Sequence, residues 1–222
     1  MRPRDPRDRA SNALRRRGFT LIELLAVILI IGILMTFLLP RIPEAIDRGK
    51  VLACRKNMEE IFKGLMIYND KHGDLPKHSG VRFFTSLIAQ GTLENSKSSA
   101  IRMTCPGINN SALPGIAEIE DPTEWYADLD RVDGSYSSYA GRNMKEFPLR
   151  KFPGSGKEAL VADDNDPEMN HQTTTVVLFA DGSVGTYELS TERENGTLSA
   201  EEEVLVVGPD SPVEALRKLS VD

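Results

Sequence analysis

Residues able to do chemistry fall into three groups. The first is Arg15-Arg16-Arg17-Gly18-Phe19-Thr20-Leu21-Ile22-Glu23, where a glycine follows three arginines and a carboxylate stands inside an otherwise apolar run. The second is Cys54 and Cys105, the only cysteines. The third is the acidic run Asp163 to Glu168 with His171, which nine residues separate from Asp181-Gly182. Gly18 leaves the backbone free to lie extended, and Glu23 in lipid is costly unless a cation pairs with it, it snorkels to the interface or it stays protonated. The two thiols could close a disulfide or stay as buried thiols. A bridge spanning about 50 residues would be worth roughly 4 kcal/mol, provided the two Cα atoms approach within bonding range. Asp163, Asp164, Asp166 and Glu168 offer hard oxygens to Ca2+, but the run lacks the glycine and the alternation of an EF-hand loop, and a solvated acidic turn is the plainer reading. His171 with Asp163 or Asp181 could make a metal or acid–base site; the plainer reading has His171 capping a strand and Asp181-Gly182 fitting a turn.

The elements that must position these groups begin with a membrane segment. Twelve of the residues from Leu24 to Leu39 are Leu, Ile, Val or Phe, worth about −5 kcal/mol of insertion free energy in sum. Phe19 to Leu39 has about the 20 residues that a helix needs to cross the hydrocarbon core. Met1 to Gly18 holds seven Arg and two Asp, a net of +5 that leaves −11 for the rest of a chain whose total is −6. The positive-inside rule then keeps the leader cytoplasmic and exports everything beyond Pro40, and an acidic exported domain argues against a nucleic-acid partner. A cleaved secretory signal would show a shorter apolar run and small residues at its end, where this chain has Pro40-Arg41-Ile42-Pro43.

Beyond the prolines, which should interrupt or kink the helix, Val51, Cys54, Met58, Ile61, Leu65 and Tyr68 recur at spacings of three and four. The spacing predicts an amphipathic helix that buries this stripe against a sheet. Lys71, His72 and Gly73 followed by Pro76 predict its end near His72. Phe83 to Ile88 reads as a short amphipathic element, and Cys105 to Tyr126 as a long irregular loop. Trp125, Tyr126, Tyr136 and Tyr139 suit packing better than a sugar-binding platform. Ala159 to Asp163 is a strand, and Thr173 to Ala180 with Val184 to Leu189 is a hairpin through an Asp-Gly turn. Glu192 to Glu203 reads as a mobile acidic tail, and Ser211-Pro212-Val213-Glu214 predicts a short helix through Leu219. No phosphate loop, zinc-finger spacing or nucleophile elbow is present, and nothing supports an enzyme.

The segment Arg17-Gly18-Phe19-Thr20-Leu21-Ile22-Glu23-Leu24 resembles the cleavage and methylation motif of type IV prepilins and type II secretion pseudopilins. The resemblance implies cleavage between Gly18 and Phe19 by a prepilin peptidase and N-methylation of Phe19. It also implies that Glu23 assists methylation and pairs with a neighbouring subunit's terminal amine. His171 with Val-Leu-Phe-Ala-Asp181-Gly182-Ser-Val resembles a carboxy-terminal signature of prepilin-type proteins, although Thr173-Thr174-Thr175 stand where glycines are usual.

The implied fold is α+β and pilin-like: a leader at 1–18, a transmembrane and assembly helix at 19–39 and its amphipathic continuation at 40–72. A globular domain at 73–190 and an acidic tail with a short helix at 191–222 complete it. The implied function is a filament subunit whose partners are the peptidase, copies of itself and other pilin-like subunits, inner-membrane assembly machinery and the lipid bilayer. The alternative is an uncleaved, single-pass anchored domain that binds metal or substrate. By resemblance, Ca2+ is the cofactor to consider, since some pseudopilins bind it in a loop.

Overall fold

Thr20 opens the first helix. The computed structural model describes residues 19–165 and 169–222, which divide after Glu44 into two units. The leader with Gly18, and also Asp166 and Glu168, lie outside the described residues. Thr20 Oγ1 accepts the Glu23 N–H at 3.3 Å, while Glu23 Oε2 takes the Thr20 N–H at 2.9 Å and its hydroxyl at 2.8 Å, completing a capping box. Helix α1, Leu21–Leu38, is apolar on every face, has no buried residue and runs about 27 Å. Among the described residues one helical stretch, Leu21–His72, is long and apolar enough to cross a membrane. A helix satisfies its own backbone there and, apart from Glu23 and Thr36, whose hydroxyl donates to the Gly32 carbonyl at 3.0 Å, leaves only apolar side chains to the lipid.

Pro40 falls in a single 3-10 turn, Leu39–Arg41, and Pro43 lies in the first turn of helix α2, Ile42–His72, where the missing N–H is not needed. The expected interruption is thus one tight turn. Within the second unit, α2 buries Cys54, Met58, Ile61, Leu65 and Tyr68 of the stripe that the spacing predicted, while Val51 at its start is only partly buried. Helix α3, Val81–Ala89, and helix α4, Lys97–Arg102, precede the irregular stretch.

Strands β1 (Tyr139–Arg142), β2 (Ala159–Asp163), β3 (Thr174–Phe179), β4 (Val184–Glu188) and β5 (Leu219–Ser220) form an antiparallel sheet in the order β4-β3-β2-β1-β5. The Asp181-Gly182 turn joins β3 to β4 as expected, with Gly182 at φ +87°. Packing of α2 on this sheet is the pilin-like α+β arrangement. One face of the sheet contributes Tyr139, Leu160, Val176 and Leu178 to the core shared with α2 and α3.

The opposite face corrects the expectation of a mobile tail. Helix α5 (Leu189–Glu194), then Leu198, Leu205, Leu216 and Leu219, cover Ala140, Ala159, Ala162 and Val177 in a second apolar cluster. The acidic residues between those leucines hide an irregular apolar pattern that has neither helical nor strand period. The helix expected after Ser211 is also corrected. Ser211 Oγ accepts from Val213, Arg217 binds the Ser211 and Pro212 carbonyls, and the chain makes one 3-10 turn, Leu216–Lys218, before entering the sheet as β5.

Arg142 carries an ion pair at this edge. It is 3% exposed, donates to the carbonyls of Phe147 and Ala159, and meets Glu158 at 2.8 Å, while Lys218 reaches the same carboxylate at 2.9 Å. Burial pushes the Glu158 carboxyl up, but hydrogen bonds and charge from Lys218 and Arg142 outweigh it and hold the group below its ordinary 4.5. A depressed carboxyl stabilises the fold above its unfolded pKa and loses that contribution as pH falls through the folded value. Glu158→Gln should therefore cost about 1 kcal/mol at neutral pH, since the carboxylate is partly solvated, and progressively less below about pH 4.5. Denaturant unfolding at both pH values checks this, and a pH-independent difference would remove the ion pair as its cause.

Candidate functional site

Cys54 points from the sheet-facing stripe of α2 toward the end of β2. Its Sγ lies 3.3 Å from Tyr139 Oη and 3.4 Å from Asp163 Oδ1. Tyr139 and Asp163 are cross-strand partners in the β1–β2 register, so the sheet itself delivers both groups to the helix. Cys105 arrives from the loop after α4, held by a Ser138 hydroxyl that accepts its N–H at 2.9 Å, and its Sγ lies 3.3 Å from His171 Nε2. His171 Nε2 stands 3.7 Å from Asp163 Oδ2. The sulfur, carboxylate and imidazole atoms of Cys54, Cys105, Asp163 and His171 all lie within 4.8 Å of one another, and all four residues are buried.

A second layer holds these groups. Asp163 Oδ2 accepts the Val176 N–H at 2.7 Å and Oδ1 the Asn170 amide at 3.2 Å. The Gly107 N–H donates to Cys105 Sγ at 3.3 Å, and Lys50 Nζ donates to the Gly107 carbonyl at the same distance. On its other edge, His171 presents Nδ1 to Asp47 Oδ1 at 3.5 Å, too long for a well-formed hydrogen bond, and Nδ1 has no nearer partner. Asp47 Oδ2 in turn accepts the Gln172 N–H at 3.2 Å. Burial pushes both thiols up, Cys105 furthest, and raises the Asp163 carboxyl against the opposing pull of the His171 charge and the Val176 N–H.

Of the residues singled out from sequence, the structure therefore brings together Cys54, Cys105, Asp163 and His171. The two cysteines are free thiols facing one another across the cluster. Asp181 stays at the exposed hairpin turn, where it accepts the Ser183 N–H at 2.9 Å and hydroxyl at 2.6 Å, bonds that hold its carboxyl below the usual range. Asp163 turns its oxygens inward, and the Asp164 N–H donates to the Ser138 carbonyl. Tyr139 reads from sequence only as a packing aromatic, and Asp47 as one more charged residue; the β1–β2 register and the docking of α2 bring them in, while Gly107 and Asn170 come with Cys105 and His171 as their near neighbours in the chain. Thr20 does carry a local signal, since Thr-x-x-Glu is a capping-box pattern, and Glu23 thus serves the helix start as well as the motif.

At the other end of the chain, Phe19 is exposed and Glu23 is bound to Thr20. Residues 14–39 match the family model of the prokaryotic N-terminal methylation motif. Over this stretch the chain is similar to type IV prepilin-like proteins. No curated protein and no solved structure matches it. The prepilin-like match spans the arginines, Gly18, Phe19, Glu23 and the apolar helix, and stops well before His171 and Asp181-Gly182. It points to a structural, pilin-like subunit, and α1 fits a single-pass membrane anchor.

Proposed function

We propose that the chain is a structural subunit of a type II secretion pseudopilus or a type IV pilus-like filament. The observation that carries this reading is the methylation motif, which runs across Gly18, Phe19 and Glu23 and through an unburied apolar helix. A prepilin peptidase cuts after Gly18 and the new Phe19 amine is methylated. The anchor sits in the inner membrane with its leader in the cytoplasm and its acidic domain outside. Subunits then leave the bilayer, their apolar helices bundled in the filament axis, where they exchange lipid contacts for contacts with copies of this chain and other pilin-like subunits. The assembly machinery supplies the work of extraction.

Intact mass of the membrane-extracted protein tests processing. The expected species lacks Met1 to Gly18 and carries one added methyl. A full-length, unmethylated chain from cells with active prepilin peptidase would overturn the proposal in favour of an uncleaved, single-pass anchored domain.

A further inference from the structure

Cys54 in α2, Cys105 in the loop after α4, Asp163 at the end of β2 and His171 before β3 come from four separate stretches of chain to one buried point. We propose that these four side chains bind one Zn2+ ion, which ties α2 and the irregular loop to the sheet.

The spacing fits that ion. With zinc–ligand bonds of about 2.3 Å to sulfur and about 2.0–2.2 Å to nitrogen and oxygen, neighbouring ligands in a tetrahedron stand roughly 3.3–3.8 Å apart. The Cys105 Sγ–His171 Nε2 contact of 3.3 Å lies in that range, as do those of the Asp163 carboxylate, 3.4 Å from Oδ1 to Cys54 Sγ and 3.7 Å from Oδ2 to His171 Nε2; with one oxygen taken from Asp163, no pair of ligand atoms exceeds 4.8 Å. The donor set selects the metal class. Two thiolates, an imidazole and a carboxylate suit a borderline-soft, four-coordinate cation, whereas Ca2+ and Mg2+ demand six or more oxygens.

The alternative use of the thiols explains less. A Cys54–Cys105 disulfide would employ two of the four groups and leave a buried carboxylate facing a buried imidazole. A divalent cation employs all four.

The surrounding layer has the features that metal sites need. With Nε2 on the ion, Nδ1–H would face Asp47 Oδ1, 3.5 Å away in this structure, and a closer approach on binding would complete a carboxylate–histidine–metal relay that sets the tautomer and ring orientation. The Gly107 N–H donates to Cys105 Sγ, the Tyr139 hydroxyl would donate to Cys54 Sγ once that sulfur is a thiolate, and Asn170 and Val176 hold the carboxylate while leaving it lone pairs. Two thiolates and one carboxylate around Zn2+ leave a net charge of −1, with the Lys50 ammonium bound to the adjacent Gly107 carbonyl. Binding releases the two thiol protons to solvent and involves no redox step. The consequence is structural. Among the described residues the stretch between α4 and β1 contains 3-10 turns but no strand or α-helix, and zinc would fasten its start to the sheet. This inference does not depend on processing at Gly18.

The test uses the full chain, purified in detergent. Native mass and elemental analysis are expected to give one zinc per chain, with EDTA removing it and lowering Tm. Cobalt(II) added to the chelated, reduced protein should produce the intense visible bands of a tetrahedral site and a thiolate-to-cobalt charge-transfer band. Cys105→Ser should bind neither metal in that way. Should that variant fail to fold, the cobalt spectrum of the parent chain decides. Asp47→Asn should keep the fold and weaken zinc affinity about 10–100-fold, an effect that a merely structural carboxylate would not produce. Failure of the reduced, folded parent chain to take up zinc, or undiminished uptake by Cys105→Ser, would overturn the site. So would a Cys54–Cys105 disulfide in the isolated protein that on reduction still binds no zinc.

Discussion

Glu23→Ala is expected to leave cleavage after Gly18 intact while abolishing methylation of Phe19 and incorporation into filaments. On the proposed reading, cleavage creates an ammonium group at the end of an apolar helix. At 4 Å and an effective dielectric constant near 20, a carboxylate attracts it by about 4 kcal/mol before desolvation is counted, roughly the scale on which an unpaired charge in lipid is penalised. Glu23 is the only acidic residue from Phe19 to Leu39, so no neighbour can substitute for it. The structure adds a competing role, because Glu23 also closes the capping box with Thr20, a contact worth about 1 kcal/mol to the start of the helix. Glu23→Gln separates the two, since glutamine still reaches the Thr20 N–H but carries no charge. Loss of filaments in both variants, read by shearing and immunoblot, assigns the defect to charge pairing. Normal assembly of Glu23→Gln beside a defective Glu23→Ala would assign it to capping and sink the pairing role.

What could be read from the sequence follows the range of the interactions concerned. The α2 stripe was legible because burial of one helical face imposes a period of 3.6 along the chain. Strands β2 and the β3–β4 hairpin were legible because their composition and the Asp-Gly turn are local. Strand β1 was not, since Tyr139-Ala140-Gly141-Arg142 has only four residues and sits among aromatic and serine residues that read as loop. Strand β5 was masked by a stronger local signal, the capping-box pattern at Ser211, which loses because Leu216 and Leu219 bury against the outer face of the sheet. The buried cluster was legible only as parts. Cys54 and Cys105 stand out as the only cysteines, and Asp163 with His171 as a possible metal or acid–base pair, yet no local spacing links the two pairs; the α2 stripe, the β1–β2 register and the return of β3 are needed to assemble them. Asp47 shows the same limit: on α2 it is one more charged residue, until His171 docks beside it.

Gly141→Ala should destabilise the second unit by about 3 kcal/mol. The cause is a close approach between two glycines. Gly80 caps the start of α3 at φ +63° and ψ −142°, a conformation essentially reserved for glycine, and its N–H donates to the Arg142 carbonyl of β1 at 3.2 Å. That bond draws the Gly80 carbonyl against the face of Gly141, so a Cβ there would overlap a backbone oxygen as well as touch Phe84. A Cβ on Gly80 would meet backbone atoms of Val221 and Asp222 at 2.6 Å, where the next residue, Val81, donates to the Val221 carbonyl at 3.0 Å. Neither obstacle is the end of a flexible side chain, and relief would require moving α3 off β1 or the C-terminal strand out of the sheet. Gly80→Ala adds backbone strain of about 1–3 kcal/mol to its clash. Because both substitutions open the same contact, the double variant should lose less than the sum of the two. Gly196→Ala is the control: it has φ +73° but nothing within 4 Å of the added carbon, and should cost only about 1 kcal/mol. Urea unfolding of the four variants measures these differences. Gly141→Ala as stable as the Gly196→Ala control would show that α3 and β1 can separate freely, and the close approach would then have no part in holding the helix to the sheet.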